Sequence, residues 1–147
     1  MGLSKRHLDY NPIALSFSAE AIACEIKKQV PEVVFAYIAG SAAEDCVVKA
    51  YSDIDIAVFL KTKVEWDIYD KIFRICEDLI GDVRCDLGIL NTSEPVYCFE
   101  VLKGRFLFTR DEEVWLKFYS RTCREYESAM FHYKKQRQYR IEAKNAL

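Results

Sequence analysis

Two apolar, β-branched runs separated by a polar loop dominate the hydrophobic pattern of this chain. Val33–Ala39 is the first and Ile54–Leu60 the second, and both read as buried strands. Helix and strand alternate around them. Ala19-Glu20-Ala21-Ile22-Ala23-Cys24-Glu25-Ile26 is a helical stretch behind the serines of Ser16-Phe17-Ser18, and it stops near Pro31. Val64, Ile68, Ile72, Ile75 and Leu79 recur at helical spacing, with Gly81 placed to end that helix. Val83–Leu90 reads as a third strand. Ser93-Glu94-Pro95 opens a short helix that reaches about Leu102, and Arg105–Thr109 reads as a short fourth strand. Thr109-Arg110-Asp111-Glu112 fits a capping box for a long terminal helix. Trp115, Phe118, Thr122, Tyr126, Met130 and Tyr133 line one stripe of it. This order predicts an α/β, α+β-like domain: a small mixed β-sheet flanked by helices, with a long C-terminal helix.

Composition narrows the class. The 147 residues, 51% hydrophobic, are enough for a single domain with its own core, spanning 1–147. Its catalytic core is expected over about 15–90, with a helix-strand-helix extension over about 91–147. A formal charge of −2 exerts no global pull toward nucleic acid, and no sequence-specific nucleic-acid contact is expected. No basic recognition helix with its turn is visible. No apolar run is long enough to span a bilayer, and the N-terminus lacks a signal-peptide core, so the cytoplasm is the expected compartment. The six cysteines never occur as C-x-x-C and mostly sit in apolar runs, which reads as small buried hydrophobes. Cys46, in the polar loop, is the exception.

Candidate chemistry sits at the inner ends of the two runs. The first ends in Gly40-Ser41, and twelve positions after the serine the second opens with Asp53-Ile54-Asp55. Alternate residues of a strand share a face, so Asp53 and Asp55 point the same way. Two adjacent carboxylates repel unless a cation lies between them, and Mg²⁺ takes hard oxygen ligands and bridges to phosphates. Gly40-Ser41 offers backbone N–H groups and a hydroxyl where the chain can approach an anion closely. Asp86 stands alone in a strand otherwise fit for burial. If its strand neighbours the second run, Asp53, Asp55 and Asp86 can converge at one rim of the sheet. Such a cluster could hold two metal ions roughly 3.5–4 Å apart for in-line displacement at phosphorus. Asp53 and Asp55 would be the shared ligands, and Asp86 is then the group to bind one metal and to orient or deprotonate an attacking hydroxyl. The plain alternative is three unrelated solvent-facing aspartates.

Gly40-Ser41 followed by Ser52-Asp53-Ile54-Asp55 and a later strand aspartate resembles the DNA polymerase β-like nucleotidyltransferase superfamily. Within it the chain is similar to the minimal nucleotidyltransferases (MNT), the antitoxin half of HEPN/MNT toxin–antitoxin pairs. The stretch Tyr97-Cys98-Phe99-Glu100-Val101-Leu102-Lys103-Gly104-Arg105-Phe106-Leu107-Phe108 and the long terminal helix with a basic end carry this finer resemblance. It implies that Gly40 and Ser41 contact the β- and γ-phosphates of ATP. It implies further that Asp53 and Asp55 ligate Mg²⁺, two ions in such sites, and that Asp86 completes the site. The implied activity is transfer of AMP from ATP to a tyrosine of a cognate HEPN RNase toxin, which silences it.

One stretch departs from that resemblance. The family's loop commonly carries a basic residue and a glycine after Gly-Ser, and it is one residue shorter. This chain has Ala42-Ala43-Glu44-Asp45-Cys46, acidic where a triphosphate should lie. Two other functions therefore stay open: an antitoxin that only binds and occludes its toxin, and a transferase for a small acceptor such as an aminoglycoside. The short region after Leu90 leaves little surface for a small-molecule or tRNA acceptor domain, which favours a docked protein acceptor. Elsewhere the plain readings suffice. His7 and His132 are too far apart for a metal site. Lys134, Lys135, Arg137, Arg140 and Lys144 form a solvated face suited to a helix C-terminus or, more sharply, a docking strip for an acidic partner. The aromatic stripe of the terminal helix reads as core, and Met1–Tyr10 as frayed or ordered by a partner.

Overall fold

The computed structural model describes residues 13–146 of the chain; the segment Met1–Tyr10, with Lys5, Arg6 and His7, lies outside the described residues. In chain order the elements are β1 (Ala14–Ser16), α1 (Ala19–Gln29), β2 (Val33–Ala39), α2 (Ala42–Asp45), β3 (Val47–Lys49) and β4 (Asp53–Leu60). There follow α3 (Trp66–Leu79), β5 (Arg84–Ile89), α4 (Pro95–Leu102), β6 (Arg105–Thr109) and α5 (Glu112–Asn145). The four longer strands form a mixed sheet in the order β5-β4-β2-β6. β4 and β5 run parallel, joined by the α3 crossover, while β2 is antiparallel to both β4 and β6. β1 and β3 pair antiparallel as a separate two-stranded ribbon. The expected α/β architecture is the one observed.

Alternation along β4 divides the molecule in two. Ile54, Ile56, Val58 and Leu60 are buried with Ala36 and Ile38 of β2, against Ile22 and Ile26 of α1 and Ile68, Ile72, Ile75 and Cys76 of α3. Residues 53, 55, 57 and 59 face the other way. On that side Phe35, Tyr37 and Ala57 pack under Cys98 and Val101 of α4 and Phe118 of α5. Aromatic rings bind this second layer: Phe118 lies 5.1 Å from Phe35 and 5.6 Å from Phe59, centroid to centroid. The Trp115 indole N–H donates to the Tyr37 hydroxyl at 2.8 Å. Phe99 of α4 stacks on Tyr126 of α5 at 3.8 Å, so the long helix holds the short one in place. The apolar faces thus reach across the sheet and leave its end at Ala39, Asp53 and Arg84 uncovered.

Several local expectations need correction. The three-residue strand β3 and the one-turn helix α2 occupy the segment expected to be loop, and β1 forms in a segment for which no element was expected. Segments this short show no periodicity, and they form because Val48 buries against the core while the ribbon pairs. The cap of α5 is Asp111, whose carboxylate accepts from Val114 N at 3.2 Å. Thr109 bonds instead to the backbone of Asp111. Arg110 leaves the cap altogether. Its guanidinium donates to the Val33 carbonyl at 2.8 Å and to the carbonyls of Lys27 and Val30, closing the C-terminal end of α1. Val64 precedes α3 and is exposed. The stripe on α5 is buried only at Phe118 and Thr122, thins to half-buried Met130, and is exposed at Tyr133. Of the cysteines, Cys76, Cys85 and Cys98 are buried as expected, whereas Cys24 is exposed.

Because Phe118 joins α5 to two strands, Phe118→Ala should cost about 3–5 kcal/mol of stability, read as a lowered urea midpoint. A change below about 1 kcal/mol would show that α5 is not part of the cooperative core.

Candidate active site

The uncovered end of the sheet is where the acidic residues gather. Asp53 is the first residue of β4, and Asp55, two positions on, shares its face. In the parallel register Asp55 stands opposite Asp86 of β5, and Asp53 opposite Arg84. On the other flank Asp55 is opposite Ala39, the last residue of β2. Strand pairing alone therefore brings Asp55 and Asp86 side by side. Asp53 and Asp86 are exposed, while Asp55 is partly buried between its neighbours.

The electrostatics follow from that packing. The Asp55 carboxyl is held above the ordinary carboxylate range, first by loss of solvent, then by the negative charges of Asp86 and Asp53, and by a hydrogen bond to Asp86. Among the described residues no three His, Cys, Asp or Glu side chains are placed to hold a metal ion together, so Asp53, Asp55 and Asp86 do not form the three-carboxylate cluster by themselves. Mg²⁺ does not need one, because it is commonly held by one or two carboxylates together with waters and substrate phosphates. A cluster whose own charges oppose ionisation, open on one side to solvent, fits such an ion.

Gly40 completes the wall. It follows β2 with φ +72°, in the left-handed region, and a Cβ there would collide with the Asp55 carboxylate. The turn is thus folded directly onto the acidic pair. Ser41 is exposed and its side chain caps nothing, so its hydroxyl is free to meet a ligand beside Asp55. Gly40, Ser41, Asp53, Asp55 and Asp86 all lie at this one rim.

The acidic loop is held from a distance. Glu44 and Asp45 are exposed on α2. Arg105, at the start of β6, donates through Nε to the Ala43 carbonyl and through a terminal nitrogen to the Glu44 carbonyl, both at 2.6 Å. A cation from another strand thus restrains the loop that lacks its own basic residue and glycine. Nothing in the sequence near Gly40 could have indicated Arg105, which is more than sixty residues away. Tyr97 was missed as well: its hydroxyl packs over Gly88, one pleat beyond Asp86. A glycine inside a strand pattern is a signal of close approach, and here it was available.

A groove of about 900 Å³ lies elsewhere, between Phe59 and the first turns of α5. Phe59 is six residues from Asp53 along β4, roughly 20 Å. Size does not outweigh chemistry here. That groove is open, and the ionisable groups along it are on the exposed side of α5.

A mixed sheet with paired carboxylates at its rim and a Gly-Ser turn against them defines the nucleotidyltransferase class. Residues 20–113 match the family described as Polymerase beta, Nucleotidyltransferase, and the chain belongs to that family. No curated protein matches it. The chain is similar to one chain of the toxin–antitoxin MntA–HepT crystal structure, at 21% identity and a TM-score of 0.56, covering 84% of this chain and 93% of that one. It is similar to a chain of a toxin–antitoxin structure with AMP-PNP at 21% identity and TM-score 0.61, covering 85% and 96%. A third likeness is to a chain of a tri-AMPylated Shewanella oneidensis HEPN toxin in complex with MNT antitoxin, at 20% identity and TM-score 0.56, covering 85% and 97%. At these identities the likeness establishes a shared fold. No helix among the described residues is long and apolar enough to cross a membrane.

Two expectations follow. A raised Asp55 pKa means that the folded state holds its proton more tightly, so this group's contribution to stability is fully present below the unfolded value and is lost as pH rises through the folded one. Asp55→Asn should therefore raise the melting midpoint in EDTA at neutral pH, by on the order of 2–4 °C for each kcal/mol relieved. It should also abolish the further rise that Mg²⁺ gives the wild type; an equal Mg²⁺ response in both proteins would remove Asp55 from the site. Arg105→Ala should loosen α2 and weaken ATP binding about tenfold, ~1.4 kcal/mol, by calorimetry. Unchanged affinity would show that the loop does not need this restraint.

Proposed function

We propose that the chain is an antitoxin that transfers AMP from ATP to a tyrosine of a cognate HEPN RNase toxin and thereby silences it. The observation that carries the reading is the register of Asp55 against Asp86 with Gly40 folded onto Asp55 from the other side. It is supported by a fold in common with chains from complexes of HEPN toxins, one of them tri-AMPylated, and with one from a complex containing AMP-PNP. Asp53 and Asp55 are assigned as the Mg²⁺ ligands, two ions in this reading, and Gly40 and Ser41 as the contacts to the β- and γ-phosphates. The metal supplies charge neutralisation of the triphosphate and Lewis acidity at the α-phosphorus.

The chain's own residues do the rest. The Gly40-Ser41 turn presents backbone N–H groups and a hydroxyl to the phosphate tail, orienting it so that pyrophosphate leaves away from the acceptor. Arg105 keeps that turn in place through the carbonyls of α2. Asp86, exposed on the outer side of the pair, accepts the proton of the attacking tyrosine hydroxyl and orients its oxygen. The cytoplasm, where an RNase finds its substrate, is the compartment this function requires.

Intact mass of the candidate HEPN partner after incubation with this protein and Mg-ATP tests the proposal. Whole AMP increments with wild type and none with an Asp53→Ala/Asp55→Ala variant are expected. A partner that stays unmodified, yet is bound and inactive with both proteins, would mean neutralisation by occlusion. Transfer to a small acceptor without any partner would mean a different substrate class.

A further inference from the structure

Tyr97 places a second tyrosine hydroxyl beside the candidate active site, and this one belongs to the protein itself. It is the third residue of α4, which starts at Pro95. Cys98 and Val101 bury the inner side of that helix, and Phe99 stacks on Tyr126 of α5. The helix is therefore fixed, and Tyr97 is directed toward β5. Its hydroxyl lies over Gly88 so closely that a Cβ on that glycine would collide with it. Gly88 shares a face with Asp86, two residues along the strand, a separation of roughly 6.5–7 Å. Asp86 in turn is opposite Asp55. The hydroxyl thus stands on the Asp86 side of the site, where the proposed reaction needs its acceptor.

The contact with Gly88 is made chiefly by the hydroxyl, at the tip of the ring. A phenylalanine would leave the place of that oxygen empty, and it would keep a hydroxyl away from two carboxylates. Tyr97 remains 38% exposed, so the ring is open to solvent on one side. Burial first, then the charges of Asp55 and Asp86, push the phenol above its ordinary value, and Asp86 is a carboxylate on the same face of β5.

We propose that Tyr97 is a self-acceptor: without a partner hydroxyl in place, the protein adenylylates this tyrosine from its own bound ATP. The inference rests on the proposed AMP transfer. The phenolic oxygen forms a bond to the α-phosphorus, and the bond from that phosphorus to the α–β bridging oxygen breaks. Pyrophosphate leaves with the electron pair, and the phenolic proton passes to Asp86 and on to water. No oxidant or further reactant is needed. The product places a phosphodiester anion against the aspartates and fills the acceptor side, so the modification limits itself to one AMP and slows transfer to a partner.

Full-length protein is incubated with ATP and Mg²⁺ alone, and in parallel with the candidate HEPN partner. Intact mass and peptide fragmentation are read in both. A single AMP increment on the peptide containing Tyr97 is expected, with a fractional rate independent of protein concentration. It should vanish in Tyr97→Phe, a variant whose fold is checked by circular dichroism, and in Asp53→Ala/Asp55→Ala. Modified partner with unmodified Tyr97 would overturn the self-acceptor and leave the proposed function standing. AMP on a different residue, or a rate that rises with protein concentration, would likewise overturn it. If neither Tyr97 nor the partner is modified, both readings fail together.

Discussion

Asp55 and Asp86 are placed opposite each other by the parallel pairing of β4 and β5, and their repulsion is the constraint around which the site is built. The hydrophobic faces of the sheet set that register. Ile54, Ile56 and Val58 can be buried against α1 and α3 only if Asp53 and Asp55 turn to the opposite face, and a slip by one residue would bury both carboxylates. Core burial thus forces together two groups that electrostatics would separate. Loss of solvent first, and then the charges of Asp86 and Asp53, raise the pKa of Asp55, and in the proposed function a divalent cation with a phosphate chain would relieve that conflict.

Everything around the pair is arranged to keep the rim open yet firm. Gly40 is the residue that permits the turn to lie on Asp55, since any side chain would meet the carboxylate. Arg105 holds the following loop by its carbonyls, giving rigidity to a segment with two exposed acidic residues. On the far side the stacked Phe99–Tyr126 pair fixes α4, and α4 carries Tyr97 to the rim. The helices that cover the second face thus also bring a side chain close to β5 beside Asp86.

The larger elements were legible because their periodicities are strong. β2 and β4 announce themselves by β-branched runs, α3 by Ile68, Ile72 and Ile75, and α4 by Pro95 at its start. The five rim residues were legible too, since alternation places Asp53 and Asp55 on one face. What stayed hidden depends on contacts distant in sequence. Arg105 and Arg110 act on carbonyls sixty to eighty residues away, and local patterning assigns them no partner. β1 and β3 are too short to show alternation. The aromatic stripe of α5 continues past Met130 in sequence, but the body of the protein ends there, so Tyr133 meets solvent. Gly88 was the one readable clue to Tyr97, and its meaning needed the fold.

The central claim is that the rim formed by Gly40, Ser41, Asp53, Asp55 and Asp86 binds a metal-bound nucleoside triphosphate. Anomalous diffraction from crystals grown with Mn²⁺ and a non-hydrolysable ATP analogue tests it most directly. The account predicts anomalous density touching Asp53 and Asp55, with the triphosphate against Gly40-Ser41 and its α-phosphorus facing Asp86. Density for metal and nucleotide at any other place, with these aspartates bare, would contradict it.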